Sequence, residues 1–130
     1  MRKYSVTDYL EKQKQYFEFL ITDFNFKLTV EEETDFDFIT EYQKKGIRVH
    51  LDYDIRDNFF YFTLIKGDHT KFPNDNDNEN IKSLLMLIQK YEPNFDGQKI
   101  QPDDEQYSDS LKRSATLLRK YGDKVLKGNE

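Results

Sequence analysis

Two carboxylates and an imidazole alternate with apolar residues along residues 47–55, and this spacing is the clearest sign of chemistry in the chain. The run Ile-Arg-Val-His-Leu-Asp-Tyr-Asp-Ile changes between apolar and polar at every step. Because strand side chains point alternately to two faces, the pattern predicts a β-strand with one buried face. His50, Asp52 and Asp54 share the other face, where such groups can attract a basic protein, bind a divalent cation or transfer protons.

A second acidic pair is predicted beside this strand. If residues 43–46 connect it to the preceding strand, Asp37 lies opposite Asp52, and Asp35 lies opposite Asp54. Directly opposed like charges destabilise a sheet, so the chain accepts a local electrostatic cost here. A solvated polar face is the alternative interpretation. The predicted partner-binding residues are Asp35, Asp37, Asp52, Asp54 and Tyr61.

Other possible metal-binding or proton-transferring residues give weaker signals. Residues 75–79 resemble the opening of a calcium-binding loop, but Asn80 stands where that loop needs glycine and Met86 where it needs a bidentate acid. We interpret this segment as a loop and helix cap. His50 and His69 form a sparse ligand set, and we expect both on the surface. We therefore predict neither a metal site nor a cofactor.

Nucleophilic catalysis and anion binding find little support in the sequence. The chain has no cysteine and no Gly-x-Ser-x-Gly elbow, and its five glycines are scattered. The net charge of −5 disfavours binding to nucleic acid or to anionic membranes. The basic residues near the C-terminus are interrupted by acids, which is typical of a solvated helix face. They are Arg113, Lys120, Lys124 and Lys127.

Length and composition favour one folded domain spanning residues 1–130. A chain of this size can bury a core without disulfides, and its eleven Phe and nine Tyr bring large apolar areas. The sequence contains no signal-type apolar run and no stretch of about 18 apolar residues that would cross a membrane. We therefore expect a cytoplasmic protein.

Periodicity predicts an α+β fold. A helix begins at Ser5 or Thr7 and continues to about residue 23, after which four segments show strand-like alternation. Short connections favour an antiparallel meander, and helices must cover its apolar face. The predicted fold is an N-terminal helix, a four-stranded antiparallel β-meander, and two C-terminal helices, beginning near Asn80 and after Pro102, that cover one sheet face.

Turn chemistry predicts the register of the last hairpin. Residues 57–58, Asp-Asn, suit a two-residue type I′ turn because both tolerate positive φ. This turn places Tyr53 opposite Phe62 and Tyr61 beside Asp54. The connection at 43–46 likewise places Glu41 opposite Arg48 as a cross-strand ion pair.

Three segments resemble small uncharacterised bacterial α+β proteins, including immunity proteins of polymorphic and contact-dependent toxin systems. They are the end of the first helix at 24–26, the strand 49–54 running into Arg56-Asp57, and the aromatic strand 59–62. The resemblance implies a stoichiometric binder that neutralises its toxin through an acidic surface.

Two functions of different class follow. The first is a non-enzymatic protein-binding module with a basic protein partner, possessing no nucleic-acid or membrane target. The alternative is a small metal-dependent or acid–base enzyme that uses the outer-face aspartates with His50. Self-association through Phe59 and Ile65, both expected to be exposed, is a third possibility, and the sequence leaves the oligomeric state open.

Overall fold

The computed structural model describes residues 6–74, 76–77, 79–102 and 108–128 of the chain. It has an α+β architecture, as predicted, with helices on one side of a single antiparallel sheet. In chain order the elements are α1 (Val6–Tyr16), α2 (Phe19–Thr22), β1 (Lys27–Glu33), β2 (Asp37–Lys44), β3 (Ile47–Asp54), β4 (Phe59–Lys66), β5 (Ile81–Ser83), α3 (Leu84–Gln89), a 3₁₀ helix (Gly97–Ile100), α4 (Ser108–Tyr121) and α5 (Asp123–Leu126).

The sheet has five strands in the order β1-β2-β3-β4-β5, one more than predicted. The added strand, β5, pairs with residues 63–65 of β4. The helix predicted near Asn80 begins instead at Leu84, where the Ser83 Oγ accepts a hydrogen bond of 3.1 Å from the Met86 backbone N–H. An N-terminal serine cap of this kind favours starting the helix after Ser83 rather than before it.

The alternation along residues 47–54 places one face of β3 in the core, as predicted. Its apolar side chains are all buried, and the polar side chains between them are only partly covered. The Tyr9 ring of α1 stacks on Phe38 at 5.3 Å and on Tyr53 at 4.8 Å between ring centroids. One hydrophobic cluster joins the sheet to the helices, so the helical layer covers the apolar face.

The predicted N-terminal helix is divided in two, α1 and α2. Gln13, in the polar middle of α1, is fully buried, and its Nε2 donates to the Tyr42 hydroxyl at 3.3 Å. Asn25 adopts a left-handed conformation with φ of 65°, which ends the helical segment. Phe26 then lies buried just ahead of β1.

The C-terminal helices pack their apolar stripe against the core and leave their basic residues exposed. A Cβ at Gly122 would lie 2.6 Å from the Leu118 carbonyl oxygen, so only glycine fits where α4 ends and α5 restarts. The predicted beginning of the third helix, residues 103–107, lies outside the described residues. None of the described helices has the length and apolar character needed to cross a membrane.

Both predicted hairpin registers are wrong by two residues, and turn length is the reason. The β2–β3 turn is only Lys45–Gly46, with Gly46 at φ 87° and Lys44 opposite Ile47. The β3–β4 connection is longer than predicted and spans residues 55–58, with Asp54 opposite Phe59. A shift of two residues preserves the face of every side chain, which is why the buried faces of β3 and β4 were predicted correctly while their cross-strand partners were not.

Side-chain hydrogen bonds within the β3–β4 connection explain its length. The Asp54 Oδ1 accepts from the Asp57 backbone N–H at 3.0 Å, and the Tyr53 hydroxyl donates to the Asn58 Oδ1 at 2.7 Å. Of the two predicted turn residues, only Asn58 has a positive φ, 52°. The Asp-Asn pair is therefore the end of a longer loop and not a two-residue turn.

Candidate functional site

The sheet face opposite the helices carries four cross-strand rows formed by β2, β3 and β4. From one end, β2 contributes Asp37, Ile39, Glu41 and Gln43 to successive rows. Strand β3 contributes Asp54, Asp52, His50 and Arg48 in the same order. Strand β4 contributes Phe59, Tyr61, Thr63 and Ile65. The first two rows carry three aspartates and two exposed rings, and the last two place Glu41 beside His50 and Arg48.

The first two rows form an acidic–aromatic patch, defined here as Asp37, Asp52, Asp54, Phe59 and Tyr61. Asp37 lies directly opposite Asp54, and Asp52 lies one row further along between Ile39 and Tyr61. Opposed aspartates were expected to destabilise the sheet, and the structure retains one such pair. The patch therefore keeps four of the five predicted partner-binding residues together.

Within the patch, the pKa of Asp52 is strongly raised. Burial, followed by the hydrogen bond and charge of the Asp37 carboxyl, raises the pKa of Asp52 to about 7. The Asp54 carboxylate acts in the same direction, whereas the nearby His50 opposes it. Asp52 Oδ1 is buried and has no hydrogen-bond partner among the described residues. Proton uptake near neutral pH therefore changes the charge of the patch.

Two aromatic rings border the acids on β4. Phe59 and Tyr61 are 36% and 48% exposed, and their ring centroids lie 4.9 Å apart. Exposed rings beside carboxylates offer both apolar area and charge to an approaching cation or protein surface. Phe59 is exposed as expected, whereas the expected exposure of Ile65 is wrong, because Ile65 is fully buried.

Asp35 does not belong to the strand rows. It lies in the exposed turn between β1 and β2, so the predicted Asp35–Asp54 and Asp37–Asp52 pairs are wrong. In the same turn Phe36 is 54% exposed, although its place in an alternating run with Phe38 predicts that it faces inward. The Arg56 guanidinium lies 4.7 Å from its ring centroid. The Thr34 side chain explains this turn, since its hydroxyl oxygen accepts from the Asp37 backbone N–H at 3.0 Å and strand pairing starts only there.

The predicted exposure of His50 is also wrong. Its side chain is 15% exposed, and its Nδ1 lies 2.9 Å from the Glu41 Oε2. The Phe72 ring covers it at 4.8 Å between centroids. Glu41 was predicted opposite Arg48 but lies opposite His50, with Arg48 diagonal at 3.9 Å. The hydrogen bond to His50 outweighs burial and lowers the pKa of Glu41.

A loop folded across the sheet covers this Glu41–His50–Arg48 cluster. Arg48 Nη2 donates to the Thr70 carbonyl oxygen, and the Asp68 Oδ1 accepts from the Gly46 N–H at 2.6 Å. These contacts anchor the segment that brings Phe72 over His50. The one sequence signal for this cover is the Phe72-Pro73 pair, an apolar element within an otherwise polar loop.

The structure gives no support to metal binding in the part of the chain it describes. No group of three or more His, Cys, Asp or Glu side chains among those residues is arranged to hold a metal ion. In the predicted loop and cap at 75–79, Asp75 and Asn78 lie outside the described residues. Asp77 accepts from the Asn80 backbone N–H at 3.0 Å, so it caps the turn leading into β5. The hydrogen bonds from Asn80 lower the pKa of Asp77.

Comparison of the chain with protein-family models, with curated proteins and with solved structures finds no match. The candidate site therefore has to be interpreted from its own geometry.

Proposed function

We propose that this protein is a non-enzymatic binding module whose acidic–aromatic patch contacts a basic protein partner. The observation that carries the proposal is the opposed Asp37–Asp54 pair with Asp52 beside it, at the open end of the outer sheet face. Cationic side chains of a partner would offset the repulsion among these carboxylates. The patch would thus be more favourable in the complex than in the free protein.

The contrast between the two ends of the outer face supports the same proposal. At the covered end, Glu41 already has partners within the protein, since His50 Nδ1 lies 2.9 Å and Arg48 Nη1 lies 3.9 Å from its carboxylate oxygens. At the open end, Asp37 and Asp54 face one another. The residue opposite Asp54 on β4 is the exposed Phe59, which carries no positive charge. A lysine or arginine of the partner would give Asp37 and Asp54 the cationic hydrogen-bond donors that the described residues do not provide at this end.

Phe59 and Tyr61 supply the apolar part of the proposed interface. Interface energy is concentrated in a few aromatic and arginine anchors surrounded by polar contacts. Tyr61 lies opposite Asp52, so one partner guanidinium could lie over its ring while contacting a carboxylate. An immunity-type protein that neutralises a basic toxin is the specific form of binder we propose.

Affinity capture with charge variants tests this function. We expect immobilised protein to retain a basic protein from lysate of its own organism at low salt and to release it at high salt. Asp37→Asn combined with Asp54→Asn keeps both acceptor oxygens used in the turns but removes the opposed charges, so we expect that band to be lost. Tyr61→Ala should weaken retention at low salt, because it removes apolar contact area from the patch.

The matched control also removes two negative charges, but from the helical side of the protein. Glu11 and Glu92 are exposed on the helical side, and Glu11→Gln combined with Glu92→Gln should leave capture unchanged. If both double variants retain the same proteins as the unaltered chain, the acidic–aromatic patch is not the binding surface. Equal loss in both double variants would indicate dependence on net charge alone and would also contradict the proposal.

Proton transfer by Asp52 and Asp37 is the second candidate function, favoured by the raised pKa of Asp52, about 7. A protonated carboxyl beside an ionised one is the arrangement that acid–base catalysis uses. Under this hypothesis, turnover in a panel of ester, phosphate and glycoside substrates would depend on pH near 7 and vanish in Asp52→Asn. Turnover that survives this substitution would exclude Asp52 as the acid.

A further inference from the structure

A second feature lies on the inner sheet face, at the opposite end of β4 from the acidic–aromatic patch. It is a cavity of about 150 Å³ between the sheet, α3 and α5. Its apolar walls come from Leu64 of β4, Leu87 of α3 and Val125 of α5. Met86, 46% exposed, lies on its rim. The cavity is thus open to solvent, while its three apolar walls belong to the core.

Three lysines also line this cavity, although the protein as a whole carries a net charge of −5. Lys82 lies directly opposite Leu64 in the β4–β5 ladder. Lys66 lies two residues beyond Leu64 on the same strand face, so Lys66 and Lys82 both adjoin Leu64 on the cavity side of the ladder. Lys90 approaches from the end of α3, with its Nζ 5.7 Å from the Tyr91 ring centroid.

No acidic residue among those described lines the cavity to offset the positive charges of its lysines. Leu64, Met86, Leu87 and Val125 are the other lining residues, and none of them is acidic. Among the described residues, neither Lys66 nor Lys82 forms an ion pair with an acid. Like charges on diagonal cross-strand positions repel each other, and a bound anion would convert this repulsion into two charge-assisted contacts.

We infer that this cavity binds a small amphiphilic carboxylate, with its hydrocarbon part among Leu64, Leu87 and Val125 and its carboxylate between Lys66 and Lys82. The size of the cavity limits the hydrocarbon part, because an apolar cavity of about 150 Å³ holds a molecule the size of benzene. A chain or ring of about six carbons therefore fits, whereas a long acyl chain does not. This inference does not rest on the proposed function.

Titration of the unaltered protein with three ligands of equal chain length tests the inference. Hexanoate, hexanol and hexylamine differ in head-group charge, and binding is followed by amide chemical-shift changes in NMR spectra. We expect saturable shifts at Leu64, Lys82 and Leu87 with hexanoate, at an affinity about tenfold above that of hexanol and higher still above hexylamine. Added salt should weaken hexanoate binding and leave hexanol unaffected.

Substitution of single lysines tests which of them contact the carboxylate of the ligand. Lys82→Gln and Lys66→Gln should each reduce hexanoate affinity by about three- to tenfold without changing hexanol affinity. Lys112→Gln, an exposed change on α4 away from the cavity, is the matched control and should bind hexanoate as the unaltered chain does. Equal affinity for hexanoate and hexanol would overturn the anion assignment. Absence of saturable shifts at the lining residues would overturn the site itself.

Discussion

The pKa values of two carboxylates on adjacent strands of one sheet face, Glu41 and Asp52, are shifted in opposite directions because their neighbours differ. Glu41 lies opposite His50 and near Arg48, and the hydrogen bond to His50 lowers its pKa. Asp52, one row away, meets burial and another carboxylate instead, and its pKa rises to about 7. Glu41 therefore contributes stability when ionised, whereas Asp52 costs stability when ionised.

The substitution Asp52→Asn should reveal this cost through its pH dependence. Between the ordinary aspartate pKa of 3.8 and the folded value of about 7, the folded protein holds a proton that the unfolded chain has released. The contribution of Asp52 to stability therefore falls as pH rises through this window. We expect the variant to match the unaltered protein near pH 4 and to exceed it by about 1–2 kcal/mol at pH 8, allowing for partial solvent access.

Urea unfolding across that pH range measures the effect. Asp35→Asn is the matched control, because it makes the same chemical change at an exposed turn residue, and we expect it to leave the pH dependence unaltered. A lower free energy of unfolding for Asp52→Asn at pH 8 would contradict the assignment of an ionisation cost to Asp52.

Two different segments cover the edge of β4 that faces away from β3. The three residues of β5 pair with its C-terminal half only. Nearer its start, the Gln101 side-chain amide replaces a strand: its Oε1 accepts from the Phe60 N–H at 2.7 Å, and its Nε2 donates to the Phe60 carbonyl at 3.0 Å. Covering an edge in this way limits pairing with another chain.

Gln101→Ala should therefore weaken the sheet edge. The substitution removes both hydrogen bonds to the Phe60 backbone, and we expect a loss of about 1–2 kcal/mol in the free energy of unfolding. Amide hydrogen exchange at Phe60 should accelerate in the same variant. Gln98→Ala, an exposed change in the neighbouring 3₁₀ helix, is the control. Equal destabilisation in both variants would show that the amide pairing is not the cause.

At the scale of the whole molecule, aromatic stacking joins the helical layer to the sheet. Tyr9 of α1 is 2% exposed and contacts rings from β2 and β3 at centroid distances of 5.3 and 4.8 Å. A chain with this low apolar fraction, 36%, depends on the large area that each buried ring removes from water. Tyr9 is thus a principal contact through which α1 is held against the meander.

We expect Tyr9→Ala to lower the free energy of unfolding by about 3–5 kcal/mol, because it removes a large buried ring and leaves a cavity. Tyr91→Ala makes the same change at a tyrosine that is 47% exposed and stacks on Tyr121 at 5.9 Å. Its expected cost is about 1 kcal/mol or less. Similar losses in chemical denaturation of the two variants would contradict the central position of Tyr9.

The α+β fold class and the two faces of the sheet follow from local sequence patterns. Alternation along residues 47–54 identified the buried side of β3. Strand-like alternation in four segments predicted four of the five strands. It also placed Asp37, Asp52, Asp54 and Tyr61 on one surface. These features depend on local geometry, since a strand repeats its orientation every two residues whatever its partner.

Which of these side chains meet depends on strand register and on long-range contacts. Register depended on Gly46 and on the hydrogen bonds of Asp54 and Asn58, and a shift of two residues changed every cross-strand pair without changing any face. Neither the Phe72 cover on His50 nor the pairing of β5 with β4 was predicted, because both join segments distant in sequence. Periodicity reports the orientation of one segment relative to the core, whereas long-range contacts depend on loop lengths and packing that periodicity does not encode.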